Sequence, residues 1–238
     1  MTRDLVYGRN AVRELYRGPR EALETWATER AATQIPWLDA GPRPQVKPER
    51  ALTEATGSRD HQGVVAWCEP FRYADAWELA AGSRTLLVCL DQVTDPHNLG
   101  AVARSADGAG ATGVVLPAHG SARVTPAVCR ASAGAVEHLP IAVVPNLARY
   151  LADVKSADVW VHGADAEGAL QLWDADLTGG VALVLGAEGR GLRPLVRRAC
   201  DALVSIPLAG HVGSLNVSVA AAVLLFEARR QRSAGAPS

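Results

Sequence analysis

Lysine and cysteine are scarce in this chain of 238 residues, and there is no excess of positive charge. The only lysines are Lys47 and Lys155, so arginine supplies nearly all the basic charge, and the net charge is −1 at pH 7. A protein that binds nucleic acid through its overall charge carries a clear positive excess. Contact with nucleic acid would therefore depend on local groups of arginines.

In two short stretches of the sequence, arginines are close enough together to form a local positive patch for nucleic acid. They are Arg190, Arg193, Arg197 and Arg198, and, nearer the C-terminus, Arg229, Arg230 and Arg232. Charge alone favours a solvated helix face for both groups, with contact to RNA as the alternative.

The four cysteines stand far apart, at positions 68, 89, 129 and 200. Without a Cys-x-x-Cys pair, this spacing argues against a zinc site and against a disulfide framework. The longest strongly apolar run, Val217 to Phe226, is far shorter than the ~20 residues that span a bilayer. The opening stretch MTRDLVYGRN lacks the apolar segment of a signal peptide. We expect a cytoplasmic protein that uses neither a metal nor a membrane.

The chain divides into two parts of different character. The first combines a helical opening (Gly8 to Tyr16), a proline-rich middle and a short strand (Val64 to Trp67), which predicts a small domain. The predicted boundaries are a small domain at 1–72, a linker at 73–84, a larger domain at 85–232 and a flexible tail at 233–238.

From residue 85 onward, short apolar runs alternate with helical stretches. The apolar runs are at 86–90, 114–116, 141–144, 159–162, 181–185 and 203–206. The predicted helices are at about 97–109, 125–132, 146–154, 191–199 and 215–231. Buried strands that alternate with helices are typical of an α/β fold with a parallel sheet.

The first of these helices is predicted in most detail. Asp95 supplies an N-cap acceptor, and Pro96 suits the first helical position. The buried face is predicted from apolar side chains at helical spacing, namely Leu99, Val102, Ala103 and Ala106. Arg104 lies off that stripe, so we expect its side chain to face solvent or a cleft.

Residues 108–113 read Gly-Ala-Gly-Ala-Thr-Gly and match the dinucleotide-binding pattern literally. That pattern holds a pyrophosphate only where it follows a strand and opens a helix. Here the glycines follow a predicted helix and lead into a strand. A helix C-cap and a tight turn are favoured, and an NAD-dependent oxidoreductase is disfavoured.

Three polar, glycine-rich segments each stand at the end of a predicted strand, at 90–116, 183–192 and 206–228. Ligands of open α/β sheets bind at the carboxyl ends of strands, so the segments predict one composite site. Each segment also has a purely structural explanation. The glycines of 186–191 suit turns, and Asn216 suits a helix cap. Asp91 and Asp95 suggest a carboxylate pair by spacing, but capping by Asp95 is simpler.

Together these segments resemble the three signature motifs of the SpoU/TrmH family in the SPOUT methyltransferase superfamily. The first motif is matched by Asp95, Pro96, Asn98, Gly100 and Arg104. The second is matched by Leu185, Gly186, Glu188, Gly189 and Gly191. The third is matched by Ile206, Pro207, Gly210, Ser214, Leu215, Asn216, Val217 and Ser218. The stretches VYGRNAV (6–12) and HQGVVA (61–66) are similar to the small substrate-binding domain of one branch of that family.

The resemblance implies an α/β catalytic domain with a C-terminal trefoil knot, preceded by a small L30e-like domain that binds the RNA substrate. It implies a homodimer that uses S-adenosylmethionine to methylate a ribose 2′-hydroxyl, in this branch that of a guanosine in the peptidyl-transferase region of 23S rRNA. The implied cofactor-binding residues are Leu185, Gly186, Ala187, Gly189, Ile206, Leu208, Leu215 and Asn216. The implied catalytic residues are Arg104, Asn98, Glu188, Ser214 and Asn216.

The resemblance gives Arg104 the part of a catalytic arginine, and chemistry leaves its exact role open. Arginine has a pKa above about 12 and is a poor general base. The alternative is that Arg104 holds an RNA phosphate or stabilises the developing alkoxide while another group takes the proton.

Other functions fit parts of the pattern. A guanosine of tRNA, or a ribosomal nucleotide in antibiotic resistance, would use the same chemistry on another RNA. A non-catalytic RNA-binding assembly factor belongs to a different class, and the intact Asn98, Arg104 and Asn216 argue against it.

Overall fold

The computed structural model describes residues 2–234 of the chain. These residues form eleven β-strands: β1 (Asp4–Tyr7), β2 (Ala22–Ala27), β3 (Gln45–Val46), β4 (Val64–Cys68), β5 (Leu86–Asp91), β6 (Gly113–Pro117), β7 (Ile141–Val144), β8 (Val159–Ala164), β9 (Leu170–Gln171), β10 (Gly180–Gly186) and β11 (Ala202–Ser205). They also form nine α-helices: α1 (Arg9–Arg17), α2 (Glu29–Gln34), α3 (Glu49–Thr56), α4 (Ala76–Leu79), α5 (Pro96–Ala109), α6 (Pro126–Ala131), α7 (Leu147–Val154), α8 (Pro194–Ala199) and α9 (Val217–Ala234).

The chain forms two compact units. The first contains the residues up to Arg72 together with Arg123–His138, and the second contains Tyr73–Ala122 and the chain from Leu139 onward. The segment 123–138 thus packs in the first unit, although it lies inside the range 85–232 predicted for the second domain. The predicted linker contains α4. Of the predicted tail, residues 233 and 234 end α9, and 235–238 lie outside the described residues.

The first unit is built on a four-stranded sheet in the order β1-β4-β2-β3. The central strand β4 is antiparallel to β1 and β2, and β3 runs parallel to β2. The predicted opening helix and the strand near residue 64 correspond to α1 and β4. The sequence did not predict β2, because only two of its six residues, Thr25 and Ala27, are buried.

A buried ion pair holds the segment 123–138 in the first unit. Arg20 is 8% exposed, and its Nε and Nη2 donate to the carboxylate of Glu137 at 2.9 and 2.5 Å. A third donor, Nη1, reaches the carbonyl oxygen of Glu69 at 3.2 Å. Burial alone would lower the pKa of Arg20, but the hydrogen bonds and charge of Glu137 outweigh it and raise that pKa.

The second unit contains a seven-stranded sheet in the order β7-β6-β5-β10-β8-β11-β9. Every neighbouring pair in it is parallel, which confirms the predicted α/β class. All six residues of β5 are buried, as expected for a strand covered on both faces. The six predicted strands and five predicted helices agree with the observed ones to within a few residues. Helix α8 starts later than predicted, at Pro194, because Gly191 has a left-handed backbone with φ +63°.

Helix α5 begins and ends as its sequence predicts. Asp95 Oδ1 accepts a hydrogen bond from the amide of His97 at 2.8 Å, which caps the first turn. The predicted stripe is buried and Arg104 is exposed. The helix ends at Gly110, whose φ of +75° is a left-handed C-cap. The glycines of 108–113 therefore join a helix to β6, and the interpretation as a turn is confirmed.

In the part of the chain that the structure describes, no helix combines the length and apolar character needed to cross a membrane. Within the same residues, no group of three or more His, Cys, Asp or Glu side chains is placed to hold a metal ion. The four cysteines are free thiols.

Candidate active site

The first two motifs begin side by side at the carboxyl edge of the parallel sheet. Strand β10 lies next to β5, with Leu185 opposite Leu90 and Gly186 opposite Asp91. Strand β11 runs parallel to β8 in the same sheet, so Ile206, the residue after β11, leaves the sheet at the same edge. The structure therefore confirms that the three segments follow strand ends at one edge.

A buried carboxylate at the end of β5, before the first motif, binds the residue that starts the chain segment after the second motif. Asp91 is 1% exposed, and its carboxylate accepts hydrogen bonds from the backbone amide of Arg193 at 2.8 Å and from Nε of Arg193 at 2.7 Å. Asp91 and Asp95 are thus not a carboxylate pair, since the former holds Arg193 and the latter caps α5. Sequence reasoning missed this link. The one clue is an aspartate that ends an otherwise apolar strand.

The loop of the second motif folds back tightly on itself. The amide of Gly191 donates to the carbonyl oxygen of Ala187 at 2.9 Å. A Cβ on Gly186 would lie 2.1 Å from the carbonyl carbon of Gly191, so only glycine fits there. Gly189 has φ +73°, a left-handed conformation that glycine adopts without strain. The glycines are turn residues, and the turn they form lies at the strand ends.

The first and third motifs meet through two asparagines. Nδ2 of Asn216 donates to Oδ1 of Asn98 at 3.1 Å. Oδ1 of Asn216 accepts from the amide and the hydroxyl of Ser218 at 2.8 and 2.6 Å, which caps α9. The two interpretations of Asn216, as a helix cap and as a site residue, are therefore compatible. Its Oδ1 caps α9, and its Nδ2 contacts Asn98.

The loop between β11 and α9 offers both apolar surface and backbone polar groups. Its side chains Leu208, Val212 and Leu215 are 39%, 75% and 37% exposed, while Ile206 is half-buried. Among the described residues, no hydrogen bond involves residues 207–215. The N–H and C=O groups of this loop are therefore available to a ligand.

Arg104, Glu188 and Ser214 are exposed, and none of their side chains forms a hydrogen bond or ion pair within residues 2–234. The structure does not join them to the asparagine pair by direct contact. Of the catalytic residues implied by the family resemblance, it brings together Asn98 and Asn216.

Several of the grouped arginines have structural partners. Arg193 pairs with Asp91, Arg197 with Asp165, and Arg230 with Glu227. Arg232 donates to four backbone carbonyl oxygens, those of Arg84, Thr85, Leu177 and Gly179. Across the described residues, this leaves Arg190, Arg198 and Arg229 without such partners. Two of the four arginines in the first group and two of the three in the second therefore contact other parts of the fold.

Known families match both units of the chain. The profile of the SpoU rRNA Methylase family matches residues 85–226, and that of the RNA 2′-O ribose methyltransferase substrate-binding family matches residues 5–74. A parallel α/β sheet with the three motif loops at its carboxyl edge is thus of the SpoU methyltransferase class. The chain belongs to the SpoU rRNA methylase family.

Individual relatives are similar over nearly the whole length. The chain is 43% identical to the 23S rRNA (guanosine-2′-O-)-methyltransferase RlmB of Pseudomonas syringae pv. tomato, covering 96% of each chain. It is 41% identical to the protein of that name from Shewanella oneidensis, covering 96% of this chain and 98% of the relative. The structure is similar to that of the SpoU methyltransferase AviRb from Streptomyces viridochromogenes in complex with AdoMet, with a TM-score of 0.82, 29% identity, and coverage of 98% and 91% of the two chains.

Proposed function

We propose that this protein transfers a methyl group from S-adenosylmethionine to the ribose 2′-hydroxyl of a guanosine in 23S rRNA. The observation that carries the proposal is the contact of Asn98 with Asn216, which unites two family motifs at the strand ends. Relatives named for this reaction, similar over nearly the whole chain, support the substrate.

The loops at the sheet edge offer apolar side chains and backbone polar groups that suit S-adenosylmethionine. Gly186 packs directly against the backbone of Gly191, so the turn of the second motif is closed tightly and its shape is fixed before a ligand binds. Leu208 and Leu215 present apolar surface to an adenine ring, and the uncommitted backbone of residues 207–215 suits its hydrogen-bonding edge. We assign cofactor binding to Leu185, Gly186, Ala187, Gly189, Ile206, Leu208, Leu215 and Asn216.

The bound cofactor supplies a methyl group that is electrophilic because it is carried on a positively charged sulfur. The bound cofactor would give up this methyl group to the ribose 2′-oxygen and remain as the neutral thioether, and the hydroxyl proton would pass to solvent or to an RNA phosphate. The protein must hold the hydroxyl in line and stabilise the negative charge that develops on its oxygen.

Arg104 is the group we assign to that charge. It is exposed on α5, and within the described residues no carboxylate neutralises it. A guanidinium is a strong donor and a poor base, so Arg104 acts by electrostatics and positioning. We assign Asn98, Glu188, Ser214 and Asn216 to the orientation of the ribose and the cofactor.

Four further features belong to the proposal. The target guanosine lies in the peptidyl-transferase region, and the protein works in the cytoplasm. It acts as a homodimer, which is supported by the exposed apolar side chains of Val219 and Phe226 on α9, 49% and 52% exposed. The trefoil knot implied by the family resemblance stays a prediction.

The test is to incubate the protein with radiolabelled S-adenosylmethionine and, in parallel, with protein-free 23S rRNA and bulk tRNA. Primer extension at low nucleotide concentration then maps each 2′-O-methyl group. We expect one new stop, at a guanosine of 23S rRNA. Preferential labelling of tRNA would contradict the substrate, and failure to bind S-adenosylmethionine in calorimetry would contradict the reaction.

A further inference from the structure

The residue that ends β5 lies beside both ends of the second-motif loop, residues 187–192. Asp91 is opposite Gly186 in the parallel ladder, directly before the loop begins. Its carboxylate also accepts from Arg193, the residue that directly follows the loop. Oδ2 accepts from the backbone amide at 2.8 Å, and Oδ1 lies 2.7 Å from both Nε and Nη2. One residue of the neighbouring strand therefore fixes where the loop starts and where it ends.

This ion pair fixes geometry more than it adds stability. The side chain of Asp91 is fully buried, and the five residues before it in β5 are apolar. Taking a carboxylate out of water costs free energy that an ion pair only offsets, so apolar side chains of similar volume are often equally stabilising in such a place. An apolar side chain could not, however, hold the amide and the guanidinium of Arg193 in one orientation.

Backbone contacts inside the loop leave it little freedom once its ends are fixed. The amides of Arg190 and Gly191 both donate to the carbonyl oxygen of Ala187, at 3.2 and 2.9 Å. The backbone of Gly191 also packs closely against Gly186. Ala187 and Gly189, which we assign to the cofactor, therefore depend for their positions on the two ends of the loop.

The segment between Asp91 and α5 is held by contacts of its own. The carbonyl oxygen of Val93 accepts from the amide of Ala122 at 2.9 Å, and Asp95 caps the helix. Neither contact involves the carboxylate of Asp91. Loss of that carboxylate should therefore loosen the second-motif loop, while α5 and Arg104 stay in place.

We propose that Asp91 is a positioning residue for S-adenosylmethionine. Through its bonds to Arg193 it holds the second-motif loop in the conformation that binds the cofactor. It acts without touching the cofactor, since its side chain is fully buried. The inference rests on the proposed function in taking S-adenosylmethionine as the ligand of this loop.

The test uses Asp91→Asn and a matched control in the same unit. Asparagine keeps the size of the side chain but loses its charge and one of its two acceptor oxygens. The control is Asp201→Asn. The carboxylate of Asp201 likewise accepts from a backbone amide, that of Val161 at 2.9 Å, and pairs with a cation, Nζ of Lys155 at 2.6 Å. Asp201 directly precedes β11, so it lies at the amino edge of the sheet, away from the motif loops.

Calorimetry measures the affinity for S-adenosylmethionine, and steady-state methylation of 23S rRNA gives kcat and the KM of each substrate. Asp91→Asn should raise Kd and KM for S-adenosylmethionine about tenfold or more, because charge-assisted hydrogen bonds that hold the loop are lost. At saturating cofactor, kcat and KM for RNA should stay within about threefold of the wild type, because α5 keeps its contacts. Asp201→Asn should bind the cofactor as the wild type does.

Arg193 provides a second series of variants, because its side chain is 42% exposed and can be changed with less risk to folding than the buried aspartate. Arg193→Lys keeps the positive charge and Arg193→Gln removes it, while both keep the backbone amide that Asp91 binds. Kd for S-adenosylmethionine should rise from the wild type to the lysine variant and again to the glutamine variant. Urea unfolding identifies the conditions in which all the proteins are folded.

Unchanged affinity in folded Asp91→Asn, or in both Arg193 variants, would overturn the inference. An equal loss of affinity in Asp201→Asn would do the same. If the wild type binds S-adenosylmethionine but methylates no RNA, the proposed reaction fails, and the affinities of the variants still decide the role of Asp91. If the wild type does not bind S-adenosylmethionine, the proposed function and the inference fail together.

Discussion

At the scale of single residues, the candidate site separates side chains that are committed to the fold from side chains that are not. Asp91 and Arg193 bind each other, and Asn216 binds both Asn98 and its own helix. Arg104, by contrast, is exposed and without a partner among the described residues. A charged side chain that makes no ion pair or hydrogen bond within the described part of the protein is available to contact a substrate.

Replacement of this arginine tests its assignment. Arg104→Ala should lower kcat for methylation about 100-fold or more, because it removes the charge that we propose stabilises the developing alkoxide. Binding of S-adenosylmethionine in calorimetry should stay near the wild-type value. Arg149→Ala, on α7, is the control and should methylate normally. Near wild-type turnover of Arg104→Ala would show that the assignment is wrong.

The two functions of Asn216 can be separated by substitution. Asn216→Ser keeps a side-chain oxygen that caps α9 but cannot reach Asn98 in the same way, whereas Asn216→Ala loses both. The free energy of unfolding, measured with urea, should fall by about 1 kcal/mol more in the alanine variant.

Methylation should respond differently from stability. Asn98→Ala and Asn216→Ser should both lose activity, because each breaks the bond of 3.1 Å between the two motifs. If both keep full activity, Asn216 is only a helix cap.

At the scale of elements, the strands of the second unit follow from sequence because parallel strands are buried on both faces and read as continuous apolar runs. Strand β2 lacks that pattern, since it is half-exposed. The contact of Asp91 with Arg193 spans 102 positions, and nothing local predicts it. Composition and periodicity located the strand ends, but the assignment of Arg104 and of the cofactor residues depended on resemblance to a known family.

Helix α9 is held by hydrogen bonds at its C-terminal end as well as at its N-cap. Arg232 donates to the carbonyl oxygens of Leu177, Thr85 and Gly179 at 3.0, 2.9 and 2.6 Å, around the start of strands β5 and β10. Arg232→Ala should lower the free energy of unfolding by roughly 2 kcal/mol, because these carbonyls lose a charged donor. Urea unfolding measures the change. Arg198→Ala, an exposed arginine on α8, should change it by less than about 0.5 kcal/mol.

At the scale of the whole molecule, the first unit is discontinuous in sequence, because part of the second unit lies between its two segments. The chain leaves the first unit after Arg72 and returns for Arg123–His138. No sequence pattern marks this return, because α6 reads like any short helix between two strands.

The returning segment depends on one buried pair. Glu137→Ala should lower the free energy of unfolding by about 3–5 kcal/mol, because Arg20 would remain buried without its partner. In the double variant Arg20→Met with Glu137→Met, the free energy of unfolding should fall much less, since no buried charge is left unpaired. Thermal unfolding of the three proteins measures this. A double variant as unstable as Glu137→Ala would show that the charge imbalance is not the cause.

The bond between Asn98 and Asn216 joins residues 118 positions apart. The sheet beneath it is equally non-local, since Leu86 pairs with Val181. Contacts of such separation form slowly, because long loops must close first. After dilution from denaturant, helical circular dichroism should therefore recover before binding of S-adenosylmethionine does, and simultaneous recovery would contradict this. Each newly made molecule would then pass through a period in which it is largely helical yet still inactive.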